Sequence, residues 1–174
     1  MDSPSECGGI GAADALSRRR WLAMLTTGAA GLAGCAGPSP RRPRETVYAP
    51  LSVEQASDIA IHALGLVGTP YRYGGNTPEG GFDCSGLIGY VYRSRAGLAP
   101  PRTTAQLAGF GAPAELTEAR TGDLVLFGRV TPTHAGIYVG GGRFVHAPST
   151  GGTVRLDRLN APYWVRQTVA VRRP

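Results

Sequence analysis

The sequence predicts an α+β domain, with N-terminal helices packed on a central antiparallel β-sheet. Apolar residues recur at helical spacing through 52–68 and again through 84–95. After residue 122 the pattern changes to short apolar runs bounded by glycine, which read as strands. Helices first and strands afterwards is the order of an α+β fold rather than of an alternating parallel one. Composition agrees, because a hydrophobic content of 42% is that of a globular chain, and 26 glycines with 14 prolines imply many turns.

The N-terminus is set apart from this domain. Arg18, Arg19 and Arg20 precede an apolar run from Trp21 to Ala33. That run is shorter than the roughly 20 apolar residues a membrane-spanning helix needs, and suits the apolar region of a signal peptide. Ser17-Arg18-Arg19-Arg20-Trp21-Leu22 resembles a twin-arginine export signal, with general secretion the alternative. Leu32-Ala33-Gly34-Cys35 resembles a bacterial lipobox, in which Cys35 is lipidated and becomes the mature N-terminus. The expected organisation is therefore a lipoprotein signal at 1–34, a lipidated Cys35 with a Pro/Arg-rich tether at 35–50, and a folded domain at 51–174. Ala36 stands where an aspartate would mark retention at the inner membrane, so the expected location is the periplasmic face of the outer membrane.

The net charge of +6 rests on arginine alone, as the chain has no lysine. The arginines are scattered and form no basic patch interleaved with aromatics, so nucleic acid is not an expected partner. No cofactor is expected, and a monomer is the expected state.

Within the domain, Ser52 and Gln55 form a capping box for a first helix, with Ala56, Ile59, Ala60, Ala63, Leu64 and Val67 on its apolar stripe and Gly68 as its stop. His62 falls off that stripe and reads as a surface residue. A Gly/Pro-rich loop, TPYRYGGNTPEGGF, leads to a second helix from about Cys84 to Arg95, with Asp83 as its N-cap. Thr103 and Gln106 cap a short third helix, which Arg102 is expected to brace. Strands are expected at Gly122–Gly128, His134–Gly140 and Gly142–Pro148, and further ones at TVRL and TVAVRR. Gly122 and Asp123 form the turn into the first of them.

Cys84 holds the chemical interest. With Cys7 removed in the signal and Cys35 lipidated, it has no disulfide partner in its own chain. At the first turn of a helix, the partial positive charge of the helix start is expected to lower its thiol pKa. Burial as an inert residue is the competing reading. His134 and His146 supply a base and an orienting group if they share a sheet face. A three-residue turn at Gly140–Gly142 puts His134 opposite residue 148, one diagonal step from His146 on the same face; a turn centred on Gly140 alone puts the two directly opposite; a strict two-residue turn separates the faces. Zinc is the other possibility, but C-x49-H-x11-H is no recognised zinc spacing and no CxxC or HxxxH accompanies it, so no metal is expected.

GTPYRYGG, GFDCSGLIGYVYR, PRTTAQ, GDLVLF, HAGIYVGGGRFVHAPSTGG and APYW, in this order, resemble the NlpC/P60 family of cell-wall cysteine peptidases. The resemblance runs from about Ser52 to the C-terminus. It implies a papain-like core and hydrolysis of amide bonds in peptidoglycan stem peptides, typically between D-glutamate and a diamino acid. It implies Cys84 as nucleophile, His134 as base, His146 as the orienting third residue and Tyr71 as support for the oxyanion. Asp83 and Ser85 match positions lining the substrate cleft. A catalytically silent wall-binding lipoprotein, and a papain-like amidase or acyltransferase with another substrate, are the alternatives. No wall-binding module is recognisable, and the sequence names no regulatory partner.

Overall fold

Ser52 opens the first helix, α1 (Val53–Gly65), through the expected capping box: its hydroxyl accepts from the Gln55 N–H, and the Gln55 side chain accepts from the Ser52 N–H. This is seen in a computed structural model that describes residues 49–149 and 152–174. The expected signal segment, the lipidated Cys35 and the tether up to residue 48 lie outside the described residues. The α1 helix ends at Leu66 rather than at Gly68, and Gly68 instead turns the chain at φ +98° and donates to the Val154 carbonyl. Ile59, Ala60 and Ala63 are buried, whereas Leu64 and Val67 of the expected stripe are exposed. His62 is half-buried rather than on the open surface, stacked on Tyr90 with Nδ1 at 2.9 Å from Arg95 Nη2.

The second helix, α2 (Cys84–Ala96), starts at the N-cap Asp83 and stops at Gly97, whose left-handed φ of +67° suits a glycine. It buries Leu87, Ile88, Val91 and Tyr92 against α1 and the sheet. Each such side chain contributes about 1.5–3 kcal/mol, so the helix is held firmly along its length. The Tyr92 hydroxyl donates to the Gly122 carbonyl across the core. The preceding loop carries a two-stranded ribbon, β1 (Asn76–Thr77) and β2 (Gly81–Phe82), which the sequence did not signal. The short α3 (Thr104–Leu107) has the expected Thr103 cap.

The remaining strands are β3 (Ala112–Ala114), β4 (Leu124–Phe127), β5 (His134–Gly140), β6 (Arg143–His146), β7 (Arg155–Arg158) and β8 (Val169–Arg173). They form one antiparallel six-stranded sheet in the order β3-β8-β4-β5-β6-β7. The fold is therefore α+β, as expected. The strand foreseen in TVRL starts two residues later, at Arg155, and β3 is an addition. Both sheet faces are covered. Leu124, Leu126, Ala135, Ile137 and Val145 face the helices, while Val125, Phe127, Tyr138, Phe144 and Val171 pack with Trp164 on the other side.

The β5–β6 hairpin decides where the histidines go. Its turn holds two residues, Gly141 and Gly142, both with positive φ, between paired Gly140 and Arg143. A turn of that length alone would set His134 and His146 on opposite faces. A bulge between Tyr138 and Gly140 shifts the register by one residue, so Tyr138 pairs with Phe144 and Ile137 with Val145. Continued to the strand ends, that register puts His134 opposite residue 148 and diagonal to His146, on one face.

Candidate active site

Asp83 ties the start of α2 to its surroundings. Its Oδ1 accepts from the Gly86 N–H at 2.6 Å and its Oδ2 from the Gly74 N–H at 2.9 Å. Arg102 grips both oxygens, Nη1 to Oδ1 at 2.9 Å and Nη2 to Oδ2 at 3.1 Å. Burial opposes ionisation of Asp83, but Arg102, the Gly86 N–H and Ser85 outweigh it, and the carboxyl is held below its ordinary range. Ser85 is buried; its hydroxyl receives Arg102 Nη1 at 2.9 Å and faces the Arg102 carbonyl at 2.7 Å and Asp83 Oδ1 at 3.0 Å. Arg102 therefore braces the helix that carries Cys84, not the short helix beside it in sequence.

Cys84 is the first residue of α2 and is half-buried. Burial and the Asp83 carboxylate raise its thiol pKa, while backbone N–H groups of Ser85, Ala135 and Cys84 itself pull the other way. The net shift is upward, which corrects the expectation of a depressed thiol. The helix-start field is present, but desolvation and an adjacent anion exceed it. The resting group is a neutral thiol. The Ala135 N–H, from the second residue of β5, reaches Cys84, and the preceding residue, His134, lines the same cavity as Cys84.

His134 and His146 meet as the register requires. His134 Nε2 lies 2.8 Å from His146 Nδ1, with the rings nearly perpendicular at 83°. Trp164 stacks on His134 at 22° and 5.6 Å, and Phe127 borders it at 6.0 Å. Burial in this aromatic wall, helped by the neighbouring His146 and Arg155, lowers the His134 pKa to about 3 despite Asp157. Burial likewise lowers His146 to about 4, although Asp157 acts to raise it. Both rings are neutral at pH 7.

Tyr71, Asp83, Cys84, Ser85, Arg102 and His134 line one open cavity of about 450 Å³. The Tyr71 hydroxyl pKa is raised by partial burial and by the nearby Asp83 and Cys84, so it stays a proton donor. A second cavity of about 510 Å³ continues past His134, lined by Trp164, Arg155, Tyr163 and Gln167 among others. The candidate residues thus converge on one cleft, with His146 behind His134 and out of solvent.

Asp157 was missed. Its Oδ2 lies 3.0 Å from His146 Nε2 and accepts from Trp164 Nε1 at 2.8 Å and from Arg155 Nη2 at 3.0 Å and Nε at 3.2 Å. The only sequence signal was an acid in a strand-like segment following one that ends in histidine. The ladder between β6 and β7 pairs His146 with Arg155, which leaves Asp157 two residues along on the same side.

The profile of the NlpC/P60 family matches residues 68–173. The chain belongs to the NlpC/P60 family. Murein DD-endopeptidase MepH of Escherichia coli is 41% identical over 127 residues, which are 70% of this chain and 47% of that protein. The gamma-DL-glutamyl hydrolase of Bacillus subtilis is 39% identical over 118 residues, 66% of this chain and 28% of that protein. The chain spans less than half the length of these two curated relatives. Among solved structures, the NlpC/P60 domain of the peptidoglycan hydrolase SagA matches with a TM-score of 0.60 and 33% identity, over 67% of this chain and 97% of that domain.

Proposed function

We propose that this NlpC/P60 chain is a peptidoglycan endopeptidase that hydrolyses amide bonds in wall stem peptides with Cys84 as nucleophile. The observation that carries the reading is the convergence of Cys84 and His134 on one open cleft, with His146 2.8 Å behind His134. Relatives named for murein DD-endopeptidase and gamma-DL-glutamyl hydrolase activities support the substrate class. We take the D-glutamyl–diamino acid bond or a related cross-link bond as the scissile amide, as the family resemblance implies.

The neutral resting pair sets the chemistry. As the Cys84 sulfur attacks the carbonyl carbon, its proton passes to His134, so no free thiolate is held in the empty cleft. The oxyanion forms against the Cys84 backbone N–H and the Tyr71 hydroxyl. Collapse breaks the C–N bond, His134 returns the proton to the departing amine, and a thioester remains on Cys84. Neutral His134 then takes a proton from water as the water attacks. The second tetrahedral intermediate collapses with cleavage of the C–S bond, His134 returns that proton to the Cys84 sulfur, and the new carboxylic acid leaves. Asp83 and Arg102 form a compensated ion pair on one wall of the cleft, with the guanidinium the more exposed partner, so that wall is polar without a net charge.

We further place the chain outside the cytoplasm, anchored through lipid on Cys35 and facing the periplasm from the outer membrane. The support is the signal and lipobox pattern of residues 17–35. Among the described residues no helix is long and apolar enough to cross a membrane. The test of the activity is peptide release from purified sacculi. Wild type is expected to release soluble stem peptides and Cys84→Ala none, and equal release by both would refute the mechanism. Intact-mass analysis of the membrane-extracted chain checks the anchor, with acylation expected on Cys35 and lost in Cys35→Ser.

A further inference from the structure

We infer that Asp157 is a positioning residue that fixes the ring protons of both histidines, so that His134 meets the Cys84 thiol with a bare nitrogen. This rests on the reading of Cys84 and His134 as nucleophile and base. Trp164, Asp157, His146 and His134 are joined by three contacts in a line. Burial works against ionisation of Asp157, and the Trp164 indole N–H leads the hydrogen bonds that overcome it, followed by His146 and Arg155. Its carboxyl is held below the ordinary range, so at pH 7 it is a carboxylate and can only accept.

The nitrogen that faces it, His146 Nε2 at 3.0 Å, must therefore carry a hydrogen. His146 is fully buried and neutral, and a neutral imidazole has one N–H. Its Nδ1 is thus bare and accepts. His134 Nε2, 2.8 Å away, must be the donor. His134 is neutral as well, which leaves its Nδ1 without a proton. That is the nitrogen free to take the thiol proton.

The two histidines alone have no such direction. Their shared hydrogen bond can be reversed, with His146 donating from Nδ1 to His134 Nε2. His134 would then present Nδ1–H to the cleft and could not act as base. Asp157 removes this reversed form, since it would set a bare His146 nitrogen against a carboxylate oxygen. Trp164 contributes twice, by aiming the Asp157 oxygen and by stacking on His134. A merely structural role for Asp157 is not needed, because the backbone ladder from Arg143↔Arg158 to His146↔Arg155 already holds β7 in place.

The test reads the protons directly. In the full chain labelled with 15N-histidine, long-range proton–nitrogen spectra at pH 7 should show His134 and His146 both neutral and both protonated at Nε2, with His62 as internal reference. An Nδ1-protonated form of either ring in the wild type would overturn the inference, whether or not any variant folds. Asp157→Ala should mix the two forms and slow alkylation of Cys84 by iodoacetamide at neutral pH by at least about tenfold. Asp157→Asn keeps an amide oxygen where Trp164 and Arg155 donate, and should retain the ring protons and most of the rate. An Asp157→Ala chain with wild-type ring spectra and wild-type alkylation would also overturn it. Neither readout uses a wall peptide, so a failure to cleave muropeptides with these results intact would count against the proposed activity alone.

Discussion

Lowering the pH from 7 to 5 should destabilise the folded chain through His134 and His146. Unfolded, each ring titrates near 6.5, whereas in the fold burial holds them at about 3 and about 4. Above pH 6.5 both states are neutral and nothing is lost. Between there and the folded values only the unfolded chain takes up protons, so acid favours unfolding. For His146 the whole shift corresponds to on the order of 3 kcal/mol, of which about 2 kcal/mol is lost by pH 5. His134 contributes a similar amount alone, but the rings share a hydrogen bond and titrate as a pair, so the joint loss lies between about 2 and 4 kcal/mol. The depressed carboxyls of Asp83 and Asp157 act in the same direction but only below about pH 4, so the window from pH 7 to 5 belongs to the histidines, to which half-buried His62, lowered by burial and by Arg95, adds in the same direction. Urea unfolding, followed by tryptophan fluorescence and circular dichroism at pH 7, 6 and 5, measures it. His146→Gln should reduce the pH-dependent loss by about half whatever it does to stability at pH 7. A wild-type stability that stays flat from pH 7 to 5 would refute the assignment of two buried neutral rings.

Three further outcomes follow from packing. Gly86→Ala would bring a Cβ within 1.9 Å of the Gly75 carbonyl oxygen and 3.1 Å of Arg102 Nη1, so the start of α2 must shift. A loss of at least about 3 kcal/mol in urea unfolding is expected, together with slower alkylation of Cys84. Tyr92→Phe removes the donor to the Gly122 carbonyl in the core and should cost about 1–2 kcal/mol with wall-peptide hydrolysis unchanged. Arg173→Met strands Asp123, which is 3% exposed and held by Arg173 at 2.9 Å, and should lower stability at pH 7 by about 2 kcal/mol or more.

What the sequence could reveal was local. Ser52 with Gln55, and Asp83 before Cys84, are caps that a few adjacent residues decide, and both stand as read. The histidine pairing was legible only as a choice between turns. A bulge at Val139 resolved it, and nothing in HAGIYVGGG announces which residue will be left unpaired. Arg102 was misassigned because its partner, Asp83, lies 19 residues away and the pair forms only in three dimensions. Asp157 was invisible for the same reason, since its contact with His146 depends on the offset of two strands joined by an irregular loop. The thiol of Cys84 was misjudged because helix position can be read from sequence and desolvation cannot. The ribbon β1–β2 and strand β3 are two or three residues long, too short for any periodicity to show.

The central claim, that Cys84 hydrolyses a stem-peptide amide, is tested most directly by mass spectrometry of purified muropeptides incubated with the full chain. The account predicts paired products whose masses sum to the parent plus one water with wild type, and intact muropeptides with a Cys84→Ala chain that unfolds like wild type. Cleavage by Cys84→Ala at the wild-type rate would contradict it.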